Sequence, residues 1–178
     1  MDSSSRAKIW KWVLLICRVA LGVIFLVAAV SKMRPLEGLP WTVASVKTSL
    51  AMFAMGIDSY QILPQWAVTP VAQYLPLFEI FLGLWLISGI ALRISSIFST
   101  LALCAFIAAM GSVWHRGLTV TCGCFGQGGP PIGPKDMMRD GFLFLPLSVI
   151  LLVGSFLLAK KSRARSAGAG AAVPQTGS

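Results

Sequence analysis

The sequence predicts an all-α polytopic membrane protein with four transmembrane helices in an antiparallel bundle. Apolar residues make up 56% of its 178 positions and charged residues only 12%, whereas soluble domains carry about 25% charged residues. Four apolar runs come close to the roughly 20 residues that cross a bilayer core, namely 13–30, 71–92, 94–114 and 142–159. The link between the second and third runs is so short that these spans should be antiparallel neighbours.

The chain divides into a membrane domain and two polar ends. Residues 1–12 are basic and contain tryptophan, as is typical of a flank at the cytoplasmic interface. Residues 13–159 form the membrane domain. Residues 160–178 begin with basic residues and continue in Ala, Gly and Ser, a composition that predicts a disordered cytoplasmic tail.

The distribution of Lys and Arg predicts the orientation. With the N-terminus in the cytoplasm, nine of the 15 Lys and Arg residues fall on the cytoplasmic side and six on the other, in agreement with the positive-inside rule. We therefore expect a multi-pass protein of the inner or plasma membrane, with both termini in the cytoplasm and both large loops outside. The net charge of +9 is consistent with basic residues that flank the spans and contact lipid headgroups. No nucleic-acid partner is expected, because no nucleic-acid motif accompanies it.

The first outer loop, residues 31–70, should contain a short helix between the first two spans. Pro40 can open this helix and Gly56 can close it. Apolar residues recur between them at helical spacing: Val43, Val46, Leu50 and Phe53. Pro64 and Pro70 then mark the start of the second span. The helix would lie on the membrane or cover the outer mouth of the bundle, the alternative being an irregular loop.

A cysteine pair in the second outer loop is predicted to be redox-active. The motif runs Cys122, Gly123, Cys124, Phe125, Gly126. A disulfide across one residue closes a small, strained ring, and strained disulfides are readily reduced. Gly123 can adopt the backbone angles that such a ring needs, and the extracytoplasmic space permits disulfides.

Two residues just before this motif, His115 and Arg116, are predicted to support it, because a cation near a thiol favours the reactive thiolate. Two alternatives stay open for the pair. One is a structural disulfide. The other is a Cu(I) or zinc site completed by His115, Met137 or Met138.

The other two cysteines, Cys17 and Cys104, lie inside the first and third spans. Lone buried cysteines usually behave as small hydrophobes, and we expect that here. The alternative is a second, intramembrane pair that relays electrons from the outer pair.

Charged residues inside the spans predict how the first two spans pack. Arg18 and Glu79 would each cost a few kcal/mol if left alone in hydrocarbon, since insertion scales give about 2.5–3.5 kcal/mol for a charge at mid-helix. One face of the first span carries Arg18, Gly22, Phe25, Ala29 and Lys32, and Glu79 and Gly83 form a similar stripe on the second. We expect the stripes to face each other, with Glu79 meeting Arg18 or, from the outer side, Lys32 or Arg34. Such a group would clamp the spans together or carry protons during redox chemistry.

These residues together resemble the family of methylamine utilisation protein MauE, within the DoxX-like group of four-helix membrane proteins. The resemblance rests on Arg18, Gly22, Phe25 and Lys32, on Tyr60, Leu63 and Pro64, on Pro76, Glu79 and Gly83, and most specifically on the loop from Cys122 to Gly126. It implies a role in methylamine metabolism, through maturation of the disulfide-rich methylamine dehydrogenase with a thioredoxin-like periplasmic partner.

The resulting hypothesis is a membrane component of a thiol–disulfide redox system, in contact with membrane lipids, with a quinone as one route for its electrons. Whether the chain is itself an oxidoreductase stays open, as does its oligomeric state. Two alternatives are a non-catalytic scaffold and a Cu- or Zn-binding membrane protein. No hydrolase triad, phosphate loop or dinucleotide motif is present in the sequence.

Overall fold

A computed structural model describes residues 3–35, 40–120 and 144–157, and the regular structure in these ranges is helical. The helices are α1 Ser3–Met33, α2 Val43–Ser59, α3 Gln65–Ser88, α4 Leu92–His115 and α5 Leu145–Leu157. The all-α prediction is confirmed for the part of the chain that the structure describes.

Three helices are long and apolar enough to cross a membrane, through the segments Ile9–Met33, Gln65–Ser88 and Leu92–His115. They correspond to the first three predicted spans and mark the chain as a helical membrane protein. The fourth predicted span, residues 142–159, contains α5, a shorter apolar helix. The first two and the last two residues of that span lie outside the described ranges. The count of four spans and the antiparallel bundle therefore stay predictions.

Helices α1 and α3 approach closely where two glycines meet. A Cβ atom on Gly22 would lie 2.9 Å from the carbonyl oxygen of Gly83, and one on Gly83 would lie 2.8 Å from the carbonyl oxygen of Gly22. Small residues allow such backbone contact between membrane helices. The core beside it contains Leu14, Leu21, Phe25, Leu82, Leu86, Leu103, Phe144 and Leu151. The two predicted stripes thus face each other.

Helix α2 exists where an outer helix was predicted, but its bounds differ. Thr42 caps its N-terminus by accepting a hydrogen bond from the backbone N–H of Ser45 at 3.2 Å. The helix therefore begins three residues after Pro40, and it continues past Gly56 to Ser59. The threonine cap, not the proline, determines the start, because its side chain satisfies a backbone donor in the first turn.

The face of α2 that packs on the other helices differs from the apolar face that the sequence suggested. Val43 is 76% exposed, whereas Ser45, Ser49 and Phe53 are buried. Ser49 also donates a hydrogen bond to the backbone carbonyl of Arg34, just after α1, at 2.9 Å. Serines are small enough for α2 to lie close to the end of α1.

Helix α3 starts at Gln65, earlier than the predicted residue 71, with Pro64 as its N-cap. Pro70 lies inside this helix, as does Pro76, so the expectation that Pro70 precedes the span was wrong. Proline is tolerated inside membrane helices because neighbouring groups satisfy the freed carbonyls. The earlier start adds Gln65 and Thr69 to the helix.

A short turn joins α3 to α4. Gly89 has a φ angle of +74°, and its N–H donates to the carbonyls of Trp85 and Leu86, both at 3.2 Å. This is the left-handed residue that commonly ends a helix, and glycine adopts it without steric cost. The turn lets α4 run back along α3.

Buried serines lie where α4 and α5 pack together. The hydroxyl oxygens of Ser96 and Ser155 are 3.4 Å apart, and the buried serines of these two helices are Ser95, Ser96, Ser99, Ser148 and Ser155. On its other side α5 places Gly154 against Leu14 of α1, where a Cβ atom would meet the end of the leucine side chain. Small residues therefore bring α5 close to both α1 and α4.

Candidate functional site

The centre of the candidate site is a buried ion pair between α1 and α3. The Nζ atom of Lys32 donates to both carboxylate oxygens of Glu79, each at 2.8 Å. The side chains are 2% and 1% exposed. Lys32 Nζ also lies 3.5 Å from the carbonyl oxygen of Ala28. A charge in hydrocarbon is tolerated when it is paired and hydrogen-bonded in this way.

Two aromatic rings complete the surroundings of the lysine ammonium. Its Nζ atom lies 5.7 Å from the ring centroid of Phe53 on α2 and 5.6 Å from that of Phe106 on α4. Both distances lie within the range of cation–π attraction, which extends to about 6 Å. The ammonium of Lys32 is therefore the point at which α1, α2, α3 and α4 meet.

Of the partners predicted for Glu79, the structure selects Lys32. Arg18 instead donates from Nη2 to the backbone carbonyl of Ile87 at 3.2 Å. Its guanidinium lies against Gly89, where a side chain would have no space. The carbonyls at a helix C-terminus carry partial negative charge, so Arg18 stabilises the end of α3.

Arg116, predicted to support the cysteine pair, fastens the end of α4 to the turn between α2 and α3. Its Nη2 and Nη1 atoms donate to the carbonyls of Tyr60 and Gln61, and its Nε donates to the carbonyl of Ser112 at 3.2 Å. Three of its donors are thus directed at backbone oxygens. His115, the last residue of α4, is exposed beside it. We name this end of the molecule, with α2 and the α2–α3 turn, the α2 end.

The motif residues Cys122, Gly123, Cys124, Phe125 and Gly126 lie outside the described residues, and so do Met137 and Met138. Their predicted redox role and the alternative metal site are not tested by the structure. Within the described ranges, no cluster of three or more His, Cys, Asp or Glu residues could hold a metal ion.

Cys17 and Cys104 are free thiols. Cys17 is buried, with 5% of its surface exposed, whereas Cys104 is exposed on α4. The expectation of a small buried hydrophobe therefore fits Cys17 and is wrong for the burial of Cys104. These two cysteines form no disulfide with each other.

A groove of about 580 Å³ between α2 and α3 was not predicted. Its α2 wall is formed by Lys47, Leu50, Ala51, Ala54, Met55 and Asp58, and its α3 wall by Gln65, Val68, Thr69, Ala72 and Gln73. The signal in the sequence was the four-residue spacing of Gln65, Thr69 and Gln73. It was missed because the span was expected to begin only at residue 71.

The fold and the pair define the class: a multi-pass helical membrane protein organised around a buried lysine–glutamate pair. The chain belongs to the family of methylamine utilisation protein MauE, since the model of that family matches residues 10–160. The resemblance inferred from the motifs is thereby confirmed, and the protein is associated with methylamine utilisation. Neither the curated proteins nor the solved structures gave a match.

Proposed function

We propose that this protein is the membrane component of a thiol–disulfide exchange system that matures methylamine dehydrogenase. Cys122 and Cys124 exchange disulfides with a thioredoxin-like extracytoplasmic partner, and Gly123 and Gly126 give the motif its backbone freedom. Membership of the MauE family over residues 10–160 and the cysteine motif support this function.

The observation that carries the proposal is the position of the end of α4. Arg116 is hydrogen-bonded to Tyr60 and Gln61, so α4 ends at the α2 end, towards which α1 also runs. The segment with Cys122 and Cys124 follows directly and starts at the end opposite to the N-terminus of α1. The distribution of Lys and Arg favours that end as the extracytoplasmic one.

The same topology supports a four-span bundle. Since α5 packs against α1 at Gly154 and against α4 at Ser155, we take it as the central part of a fourth span over residues 142–159. An even number of spans brings both termini to the cytoplasm. The cysteine segment would then join the third span to the fourth on the oxidising side of the membrane.

The exchange chemistry needs only the two sulfurs and a partner. A thiolate of the partner attacks one sulfur of the Cys122–Cys124 disulfide, which forms a mixed disulfide and releases the other sulfur as a thiolate. A second thiolate of the partner then attacks the mixed disulfide. The partner leaves oxidised, and both cysteines of this chain take up protons as thiols.

The Lys32–Glu79 pair serves this function as a clamp. Lys32 engages both carboxylate oxygens of Glu79, and the ammonium also faces Phe53 and Phe106. Because Lys32 and Glu79 are hydrogen-bonded to each other and almost fully buried, we favour a structural role for the pair over proton transfer. It holds α2 in place at the end of the molecule where the cysteine segment begins.

The decisive experiment traps the mixed disulfide in intact cells. A thioredoxin-like partner that lacks its resolving cysteine should form a covalent adduct with this protein, and Cys122→Ser or Cys124→Ser should abolish the adduct. A membrane-impermeant maleimide should label the reduced pair from outside in a Cys17→Ser/Cys104→Ser background.

The matched control is Cys104→Ser alone, which removes an exposed thiol on α4 and should leave both the adduct and client oxidation unchanged. If the Cys122→Ser variant and the Cys124→Ser variant both support normal oxidation of the dehydrogenase subunit, the exchange function is wrong. Labelling of the pair only after membrane permeabilisation would contradict the orientation.

A further inference from the structure

The exchange step between the cysteine pair and its partner does not use the groove between α2 and α3, yet the groove has the dimensions of a ligand site. Its volume of about 580 Å³ falls within the range of small-molecule pockets, about 300–1,000 Å³. Val68 and Ala72 lie in its lining and are only 6% and 1% exposed. Since Gln65, Thr69 and Gln73 are exposed, the groove is open on one side and would contact one face of a ligand.

Hydrogen-bonding side chains lie along its α3 wall. Gln65, Thr69 and Gln73 recur every four residues and share one face of the helix. Gln65 donates to Asp58 at 2.8 Å, and the side chains of Thr69 and Gln73 are exposed on the same wall. Polar side chains within a spanning helix normally face a partner or a water-filled cavity. These two are open to a ligand.

The α2 wall adds apolar surface and one cation. Leu50, Ala54 and Met55 present apolar atoms, and Lys47 is the one cation among the lining residues that the structure describes. Such a lining fits a molecule with an apolar body and hydrogen-bond-accepting oxygens. A phospholipid phosphate fits less well, because the Asp58 carboxylate would repel it.

The position of the groove relates it to the cysteine segment. The hydrogen bond between Asp58 and Gln65 lies beside the α2–α3 turn, to which Arg116 is fastened through the carbonyls of Tyr60 and Gln61. Cys122 follows Arg116 by six residues, a length of chain that spans at most about 20 Å. The groove therefore lies at the end of the molecule where the cysteine segment begins.

We propose that this groove binds a lipid-soluble quinone. Lys47, Thr69 and Gln73 supply donors for its two carbonyl oxygens, and the apolar wall contacts its ring. The purpose of binding rests on the proposed function. Oxidation of the Cys122 and Cys124 thiols to one disulfide releases two electrons and two protons, and reduction of one quinone to its quinol takes up both. The quinone would thus regenerate the oxidised pair.

The test uses the full-length protein in quinone-free nanodiscs, an azidoquinone photoprobe and mass spectrometry of the labelled peptides. Peptides from α2 and α3 should carry the label, and decylubiquinone should displace it. Ala54→Phe places a ring in the groove and should abolish this labelling. Gln73→Leu should reduce it about three- to tenfold, equivalent to one lost hydrogen bond. Ala44→Phe, an exposed position on α2 outside the groove lining, is the matched control and should label normally.

Equal labelling of Ala54→Phe and the native protein would overturn the quinone site, as would equal displacement by decanol or by phosphatidylglycerol. The Cys122→Ser/Cys124→Ser variant separates the two proposals. This variant should keep the label, since no cysteine is among the described lining residues, and loss of label in it would contradict a site built from α2 and α3. A native protein that binds the probe but forms no mixed disulfide would disprove the exchange function alone.

Discussion

Replacing Lys32 with methionine would leave the carboxylate of Glu79 buried without its partner. The two charges are 2.8 Å apart, and the side chains are 2% and 1% exposed. At an effective dielectric constant of about 20, their attraction is about 6 kcal/mol before the desolvation of both groups is subtracted. Removing one partner of a buried pair costs about 3–5 kcal/mol, because the other charge stays buried alone. Since methionine is close to lysine in shape, we expect this loss to come from the charge and not from a cavity.

The measurement is reversible unfolding in mixed detergent micelles, followed by far-ultraviolet circular dichroism. Lys32→Met should lower the free energy of unfolding by about 3–5 kcal/mol, whereas Lys32→Met/Glu79→Leu should recover most of the loss. Arg34→Met, an exposed cation two residues along, should change it by no more than about 0.5 kcal/mol. A loss below about 1 kcal/mol for Lys32→Met, or a double variant less stable than the single one, would refute the clamp.

Two further predictions concern the contact between α1 and α3 and the α2–α3 turn. Gly22→Val should lower the free energy of unfolding by about 1–3 kcal/mol or more, because even a Cβ atom would lie 2.9 Å from the carbonyl oxygen of Gly83. Gly56→Ala, whose Cβ would meet nothing within 4 Å, is the control and should stabilise by about 0.5–1 kcal/mol; a similar effect at both glycines would contradict the close contact. Burial raises the pKa of Tyr60 to about 12, so its phenol should ionise near that pH in a near-ultraviolet titration with Tyr60→Phe subtracted. Because the unfolded phenol ionises near pH 10, the stability gained by burying the neutral phenol is fully present below about pH 10 and is lost as pH rises through about 12. Ionisation near pH 10 in the folded protein would show that the side chain is not buried.

The elements that the sequence predicted best were those with a strong local signal. Three apolar runs became α1, α3 and α4, because in lipid a backbone of that length must satisfy its own hydrogen bonds as a helix. The outer helix was also predicted, but its packing face was not, since Ser49 is buried where its hydroxyl meets the carbonyl of Arg34 at the end of α1. The start of α3 was placed too late, because Pro70 was taken as a helix boundary and bilayer helices tolerate proline.

For the candidate site, the sequence indicated which charged residues take part but not which of them form the ion pair. Spacing placed Arg18 and Lys32 on one face and Glu79 on the facing stripe. It left open which cation Glu79 meets. The structure selects Lys32, and it directs Arg18 to the end of α3. Nothing in the sequence indicated that Phe106 contacts Lys32, because aromatic residues are common in spanning helices.

The sequence by itself determined the membrane class, the helical architecture of the long apolar runs and the family, because bilayer thickness and local motifs are readable along one chain. The tertiary structure decided the Lys32–Glu79 pair, the fastening of Arg116 to the α2–α3 turn and the groove beneath α2. Each depends on how far a flexible side chain reaches and how closely two helices approach. Those quantities are set by packing between segments distant in sequence, where small residues such as Gly22 and Gly83 permit contact and larger ones prevent it.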